Sequence, residues 1–251
     1  MDAAHPEASA VRAEGRLTGV GVGPGDPGLL TRRAMAVLAE ADRVVAPTTS
    51  PDEVGRAEAV VRAALPELPI VRLPFDMSGG GDGEAARRAS HDKAAAALRP
   101  WLDDGGHVAF VTLGDPNIYS TFPSLVAALG RLGWGGAVDT VPGITAFQEL
   151  AARSATVLLD GTDSLALVTA LDGTEHLAEA LAEPGRAVVV YKGGRHVPAI
   201  AELLDRHGRL DGAVFGELLG LPGERVGPLT DAAATPASYL ATVIVPPAPR
   251  P

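Results

Sequence analysis

The sequence predicts an α/β protein of two domains, and three observations carry that prediction. Short apolar runs alternate with amphipathic stretches from Leu17 onward, the pattern of mostly parallel strands covered on both faces by helices. Aromatic residues make up only 4% of a sequence that is 46% hydrophobic, so the core must be built from Ala, Val and Leu. A chain of 251 residues can bury one large core or two modest ones.

The elements follow in order. Residues 1–15, MDAAHPEASAVRAEG, hold acids, a proline and no apolar stretch, which predicts a disordered leader and not a secretory signal. In the first domain (16–136), apolar runs predict strands at Arg16–Val22, Arg43–Ala46, Ile70–Leu73 and His107–Leu113. Helical spacing between them predicts helices over Leu29–Ala41, Glu53–Ala64, Glu84–Leu102 and Ser124–Leu132. SGGGDG (Ser78–Gly83) reads as a flexible surface loop. The turn-rich GRLGWGG (Gly130–Gly136) places the domain boundary there, or just after the strand expected at Ala137–Val141.

The second domain (137–246) repeats the rhythm. Strands are expected at Leu165–Ala170, Ala187–Tyr191, Gly212–Gly216 and Tyr239–Val245, with helices at Ala146–Ser154, His176–Ala182 and Val197–His207. The proline-rich end of the chain, residues 247–251, predicts a disordered tail.

Charge and composition narrow the function. A net charge of −10 argues against nucleic acid, which needs a basic face. No run approaches the roughly 18 apolar residues of a membrane span. Cysteine is absent, which rules out disulfides and thiolate metal sites and suits a reducing cytoplasm. No metal-ligand cluster stands out.

The loop GVGVGPGDPGLLT after the first strand invites a phosphate-binding reading, and with it a nicotinamide-dependent oxidoreductase. The dinucleotide fingerprint, however, requires G-x-G-x-x-G, whereas Gly21, Gly23 and Gly25 are spaced G-x-G-x-G. Pro24 removes an N–H donor and Asp26 adds an anion, so both oppose phosphate. A tight turn with Asp26 or Thr31 as a cap is the simpler alternative. Three further stretches follow strands: TLGDPNIYST (Thr112–Thr121), VPGITAF (Val141–Phe147) and VVVYKGG (Val188–Gly194). Ligands of open α/β sheets bind beyond the carboxyl ends of strands, so the four loops are expected to converge on one cleft between the halves.

In this order, VGVGPGDPGLLT, TLGDPNIYSTF and VPGITAF resemble the tetrapyrrole (uroporphyrinogen/precorrin) methylases, over about Leu17 to Val245. The wording GDPNIYSTF, and less strongly APTTSPDEVGRAEAVV (Ala46–Val61), is similar to the branch that methylates carbon 20 of precorrin-2 or its cobalt-bearing counterpart. The resemblance implies two α/β domains with S-adenosylmethionine between them, a tetrapyrrole substrate and a homodimer. It implies cofactor contacts at Pro24, at Leu113, Gly114, Asp115 and Ile118, at the neighbouring Tyr119, Ser120 and Thr121, and at Thr145 and Ala146. Lys192 stands where relatives often carry Met, and Leu219 aligns with a late contact made through its backbone. Other members of the superfamily act at other ring carbons or on non-tetrapyrrole substrates, which is the nearer alternative.

Each of these residues also has a purely structural reading. Asp115 suits a turn, Tyr119 the core, Thr145 an N-cap and Lys192 a solvated surface. Asp26 and Tyr119 are the candidates for a general base, with His91, His107 and His196 behind them. Precorrin-type substrates carry many carboxylates, which arginine binds well. Arg56, Lys192 and Arg195 are the candidates for that lining, whereas Arg32 and Arg33 suit a solvated helix face.

Overall fold

The computed structural model describes residues 15–75, 83–183 and 185–247. The leader (all but Gly15), residues 78–82 of the glycine-rich loop and the tail beyond Pro247 lie outside the described residues. The chain forms two units, one comprising residues up to Val22 together with Thr31–Gly143, the other comprising Gly23–Leu30 together with Ile144 onward.

The first unit is built on a five-stranded parallel sheet. Its strands are β1 (Arg16–Gly21), β2 (Arg43–Thr48), β3 (Ile70–Pro74), β4 (His107–Thr112) and β5 (Ala137–Val141), in the order β3-β2-β4-β1-β5. Helices α1 (Arg32–Glu40), α2 (Arg56–Ala64), α3 (Gly83–Asp103) and α4 (Phe122–Arg131) connect them. Alternation along the strands assigns the two faces. Leu17, Val45, Val108 and Phe110 form one core with α3 and α4, where the scarce aromatics gather. Phe110 meets Phe75 edge-on at 5.7 Å and Phe122 at 6.0 Å. Val20, Val44, Ala109 and Val111 point the other way and are buried as well; α1 packs on β1 and α2 on β2.

The division falls at Gly143, the second of the two expected places, just after Ala137–Val141, and not at residue 136. The segment Ala137–Val141 pairs with β1 along its whole length, from Arg16↔Ala137 to Val20↔Val141, and so completes the first sheet.

The second unit departs from the parallel pattern. Strands β6 (Ser164–Thr169), β7 (Arg186–Tyr191), β8 (Val214–Glu217), β9 (Arg225–Pro228) and β10 (Ala241–Val245) take the order β6-β7-β10-β8-β9. Only β6 and β7 pair in parallel; β10 runs antiparallel to both β7 and β8, and β9 antiparallel to β8. Helix-linked strands do run the same way, but the last strand inserts between β7 and β8, a long-range pairing that local periodicity does not report. The connection from β8 to β9 is also far shorter than the roughly dozen residues a parallel crossover needs. The strand β9 and the short helix α8 (Leu229–Ala232) are additions to the sequence reading. Helix α5 (Ala146–Ser154) covers one face through Leu150, Val189, Leu219 and Ile244. Helices α6 (Glu175–Leu181) and α7 (Val197–Arg206), with α8, cover the other through Leu177, Val188, Val190, Ile200 and Val243.

Candidate active site

In the first unit the site-bearing loops start side by side. Strands β4, β1 and β5 are adjacent and parallel, with Gly21 paired to Thr112 and Val20 to Val141. The connection after β1 leads to α1 on one face, and that after β4 leads to α4 on the other. This divergence opens a crevice at the carboxyl ends of an α/β sheet. Three glycines pack backbone to backbone there. A Cβ on Gly143 would lie 2.1 Å from the Gly114 carbonyl oxygen and 2.8 Å from Gly21 Cα; one on Gly21 would lie 2.5 Å from the same oxygen. A Gly143→Ala variant is expected to lose about 1–3 kcal/mol through this overpacking, read by chemical denaturation; an unchanged midpoint and slope would contradict the close packing.

Asp115 ties the second and third motifs together. Its Oδ1 accepts from the Asn117 backbone N–H at 2.8 Å and its Oδ2 from the Gly143 N–H at 3.0 Å, with the residue only 9% exposed. Ser120 Oγ accepts from Thr112 Oγ1 and from the Phe122 N–H, so the end of this loop is pinned to β4 and to α4. Around these anchors Leu113, Gly114, Ile118, Ser120 and Thr121 stay partly accessible. Gly114 has φ +70°, and nothing lies within 4 Å of where its Cβ would stand, so bare backbone faces open space. Tyr119 takes φ +49° and is 44% exposed. Burial pushes its phenol above the ordinary value of 10, which favours the protonated form.

The first motif belongs to the second unit from Gly23 onward. Asp26 Oδ1 accepts from the Gly28 N–H at 2.7 Å and caps a 3-10 turn at Pro27–Leu29. Thr31 Oγ1 accepts from the Ala34 N–H and caps α1. Both capping residues named from sequence are therefore caps. A Cβ on Gly25 would lie 2.1 Å from the Leu219 carbonyl oxygen, and one on Gly220, at φ +69°, 2.2 Å from the Asp26 nitrogen. The backbone that a pyrophosphate would need to approach is thus covered by the chain's own carbonyl, which also repels anions. At Gly25 this geometry, with the G-x-G-x-G spacing, counts against the dinucleotide reading of Gly21–Gly25. Leu219 itself is buried against Leu150 and Ile244, leaving its backbone as the part that meets the first motif.

Thr145 is buried and caps α5, with its N–H and its hydroxyl both donating to Gln148 Oε1 at 2.9 and 2.8 Å. Ala146 follows as the first residue of α5, and the Phe147 N–H donates to Tyr191 Oη at 3.1 Å. That bond joins the start of α5 to the end of β7. One residue on, Lys192 adopts φ +58° and sets its Nζ 5.5 Å from the centre of the Tyr239 ring. Arg195 is exposed, donating to the Leu171 carbonyl and to His196 Nε2.

Other named residues are placed elsewhere. Arg56 is the exposed first residue of α2 in the first unit. His107 sits at the amino end of β4, opposite the motif loops, with Nε2 2.9 Å from Thr18 Oγ1. Burial, then the Arg16 charge, pushes its imidazole below the ordinary value of 6.5. His91 packs on Phe75 in the helical layer, and burial lowers it likewise. The sequence reading missed Tyr191, Gln148, Arg153 and Glu224. The first two had a signal in the Thr145-x-x-Gln148 capping-box spacing and in the end of an apolar strand; Glu224, 71 residues from its partner Arg153, had none. Among the described residues no group of three or more His, Asp or Glu is placed to hold a metal ion, and no helix is long and apolar enough to cross a membrane.

The family model of Tetrapyrrole (Corrin/Porphyrin) Methylases matches residues 16–233. The chain is 34% identical to a cobalt-precorrin-2 C(20)-methyltransferase of Salmonella typhimurium, over 84% of this chain and 86% of that protein. It is 33% identical to a precorrin-2 C(20)-methyltransferase of Sinorhizobium sp, over 92% and 95%. The crystal structure of a uroporphyrin-III C-methyl transferase from Thermus thermophilus, complexed with S-adenosylhomocysteine, superposes with a TM-score of 0.62 at 25% identity, covering 92% of this chain and 97% of that one.

Proposed function

Because the chain belongs to the tetrapyrrole (corrin/porphyrin) methylases, we propose that it transfers a methyl group from S-adenosylmethionine to carbon 20 of precorrin-2 or its cobalt-bearing counterpart. The likeness to two C20-methyltransferases along nearly their whole lengths carries this reading. Those two differ in name only by cobalt, at almost equal identity, so the metal state of the substrate is a matter for the assay.

The loop chemistry fits the cofactor. S-adenosylmethionine supplies, when bound, a methyl group activated on a sulfonium, and it carries an amino acid and a nucleoside but no phosphate. The bare Gly114 backbone, the partly accessible Leu113 and Ile118 and the capped, acidic first motif suit such a ligand better than an anion. In the proposal Pro24, Leu113–Asp115, Ile118–Thr121, Thr145, Ala146, Lys192 and the Leu219 backbone hold the cofactor. Lys192, Arg195 and Arg56 meet substrate carboxylates. The protein's part is to orient the two reactants and exclude water, which together can supply on the order of 7–11 kcal/mol at the upper end. The proposal assigns no general base, since Asp26 is committed to its turn and burial favours the protonated form of Tyr119. A homodimer in the cytoplasm completes the reading; the lack of cysteine suits that compartment.

Purified protein given methyl-labelled cofactor and either metal-free or cobalt-loaded precorrin-2 should add one methyl group, located at carbon 20 by product NMR. Transfer to neither substrate, or to a different carbon, overturns the assignment.

A further inference from the structure

Behind the first motif, Glu224 and Arg153 form a clamp that the methyl-transfer reading does not use. Residues 218–224, which connect β8 to β9, bend sharply, with Leu218 at φ +51°, Gly220 at +69° and Gly223 at +87°. A left-handed leucine is strained, and few backbone bonds support the bend: Leu221 N–H to the Leu218 carbonyl, and Glu224 N–H to the Leu221 carbonyl. Besides the burial of Leu219, one side chain bonds to the bend's backbone. Glu224 Oε2 accepts from the Gly220 N–H at 2.6 Å, and Glu224 Oε1 accepts from Arg153 Nη1 at 2.6 Å. Arg153 is itself fixed on α5 by Glu149, four residues earlier, at 2.5 Å. The guanidinium and both carboxylates are each at most 35% exposed, so the chain of charges is only partly screened.

This clamp bears directly on the first motif. The bend it holds places the Leu219 carbonyl against Gly25 and Gly220 against Asp26, each closer than a side chain would permit. The Asp26 charge also acts on Arg153. All these residues belong to one unit. We infer that Glu224 is a positioning residue: by holding Gly220 and Arg153 together it presses the 218–221 bend onto Gly25–Asp26 and so sets the position of Pro24 for the cofactor. The inference rests on the proposed cofactor site at Pro24 and Leu219.

The test compares S-adenosylhomocysteine binding by calorimetry with steady-state kinetics. Glu224→Ala should weaken binding and raise the cofactor KM about tenfold, the scale of one lost hydrogen bond to a charged group, with kcat at saturating cofactor kept within about twofold. Glu224→Gln keeps an acceptor for Gly220 and should recover part of the affinity; Arg153→Lys should fall between it and wild type. Hydrogen exchange on the wild-type protein without cofactor should find the Gly220 amide protected, and Glu224→Ala, which removes its acceptor, should expose it. Affinity and KM within about twofold of wild type in Glu224→Ala, or an unprotected Gly220 amide in the wild type, overturns the inference while leaving the cofactor reading standing. Absence of binding by the wild type overturns both.

Discussion

Asp115→Ala is expected to weaken S-adenosylhomocysteine binding and lower kcat/KM by about 10- to 100-fold, the equivalent of about 1.4–2.8 kcal/mol. The carboxylate accepts two backbone N–H groups, from Asn117 within its own loop and from Gly143 in the next. Alanine leaves the Gly143 N–H without that acceptor, in a place where three glycine backbones are already in contact. The loops after β4 and β5 then lose their tie, and the bare backbone at Gly114 loses its fixed position. Asp115→Asn keeps one acceptor oxygen and is expected to show an intermediate loss. Calorimetry and initial rates measure both; wild-type affinity in Asp115→Ala would contradict this role.

The largest effect on stability is expected from Glu58→Ala. Glu58 is completely buried on α2, yet its Oε2 accepts from Arg72 Nε at 2.8 Å and its Oε1 from Arg62 Nε at 2.7 Å. Arg72 also donates to the Pro51 carbonyl, so the ion pair anchors the segment after β2 to β3. Arg62 is 41% exposed and adds little, whereas the Arg72 side chain is 26% exposed. Removing the carboxylate strands the Arg72 charge, at a cost of about 3 kcal/mol, or a fall in Tm of about 6–12 °C.

The same pair predicts a pH dependence. Burial alone would raise the Glu58 carboxyl, but the hydrogen bonds and charges of Arg72 and Arg62 outweigh it and hold it below the ordinary value of 4.5. A folded value below the unfolded one means the stabilisation is complete above about pH 5 and is lost as pH falls through the depressed value. Wild type and Glu58→Ala should therefore converge in stability on acidification. A gap that stays constant down to acid unfolding would show that Glu58 stabilises by packing and not by charge.

The local features of this protein are spelled out in contiguous residues. Nine of the strands and the seven longer helices follow from apolar runs and helical spacing, because burial against a neighbour imposes period 2 or 3.6 on each stretch separately. The motif loops were legible for a similar reason. Gly-Asp-Pro and Thr-x-x-Gln encode their own turns and caps, as Asp26, Asp115 and Thr145 show.

Contiguous residues thus specify the alternation of elements, the capping of the loops and, through the order of three motifs, the family. Chain folding settles which unit each segment joins and which distant charges meet. The strand at Ala137–Val141 belongs to the first sheet because β1 offers it an edge, and β10 turns the second sheet antiparallel by entering between β7 and β8. Glu58 with Arg72, and Arg153 with Glu224, are ordinary surface-type residues in a linear reading. Their pairing is a product of chain folding, and no periodicity in either partner's neighbourhood announces it.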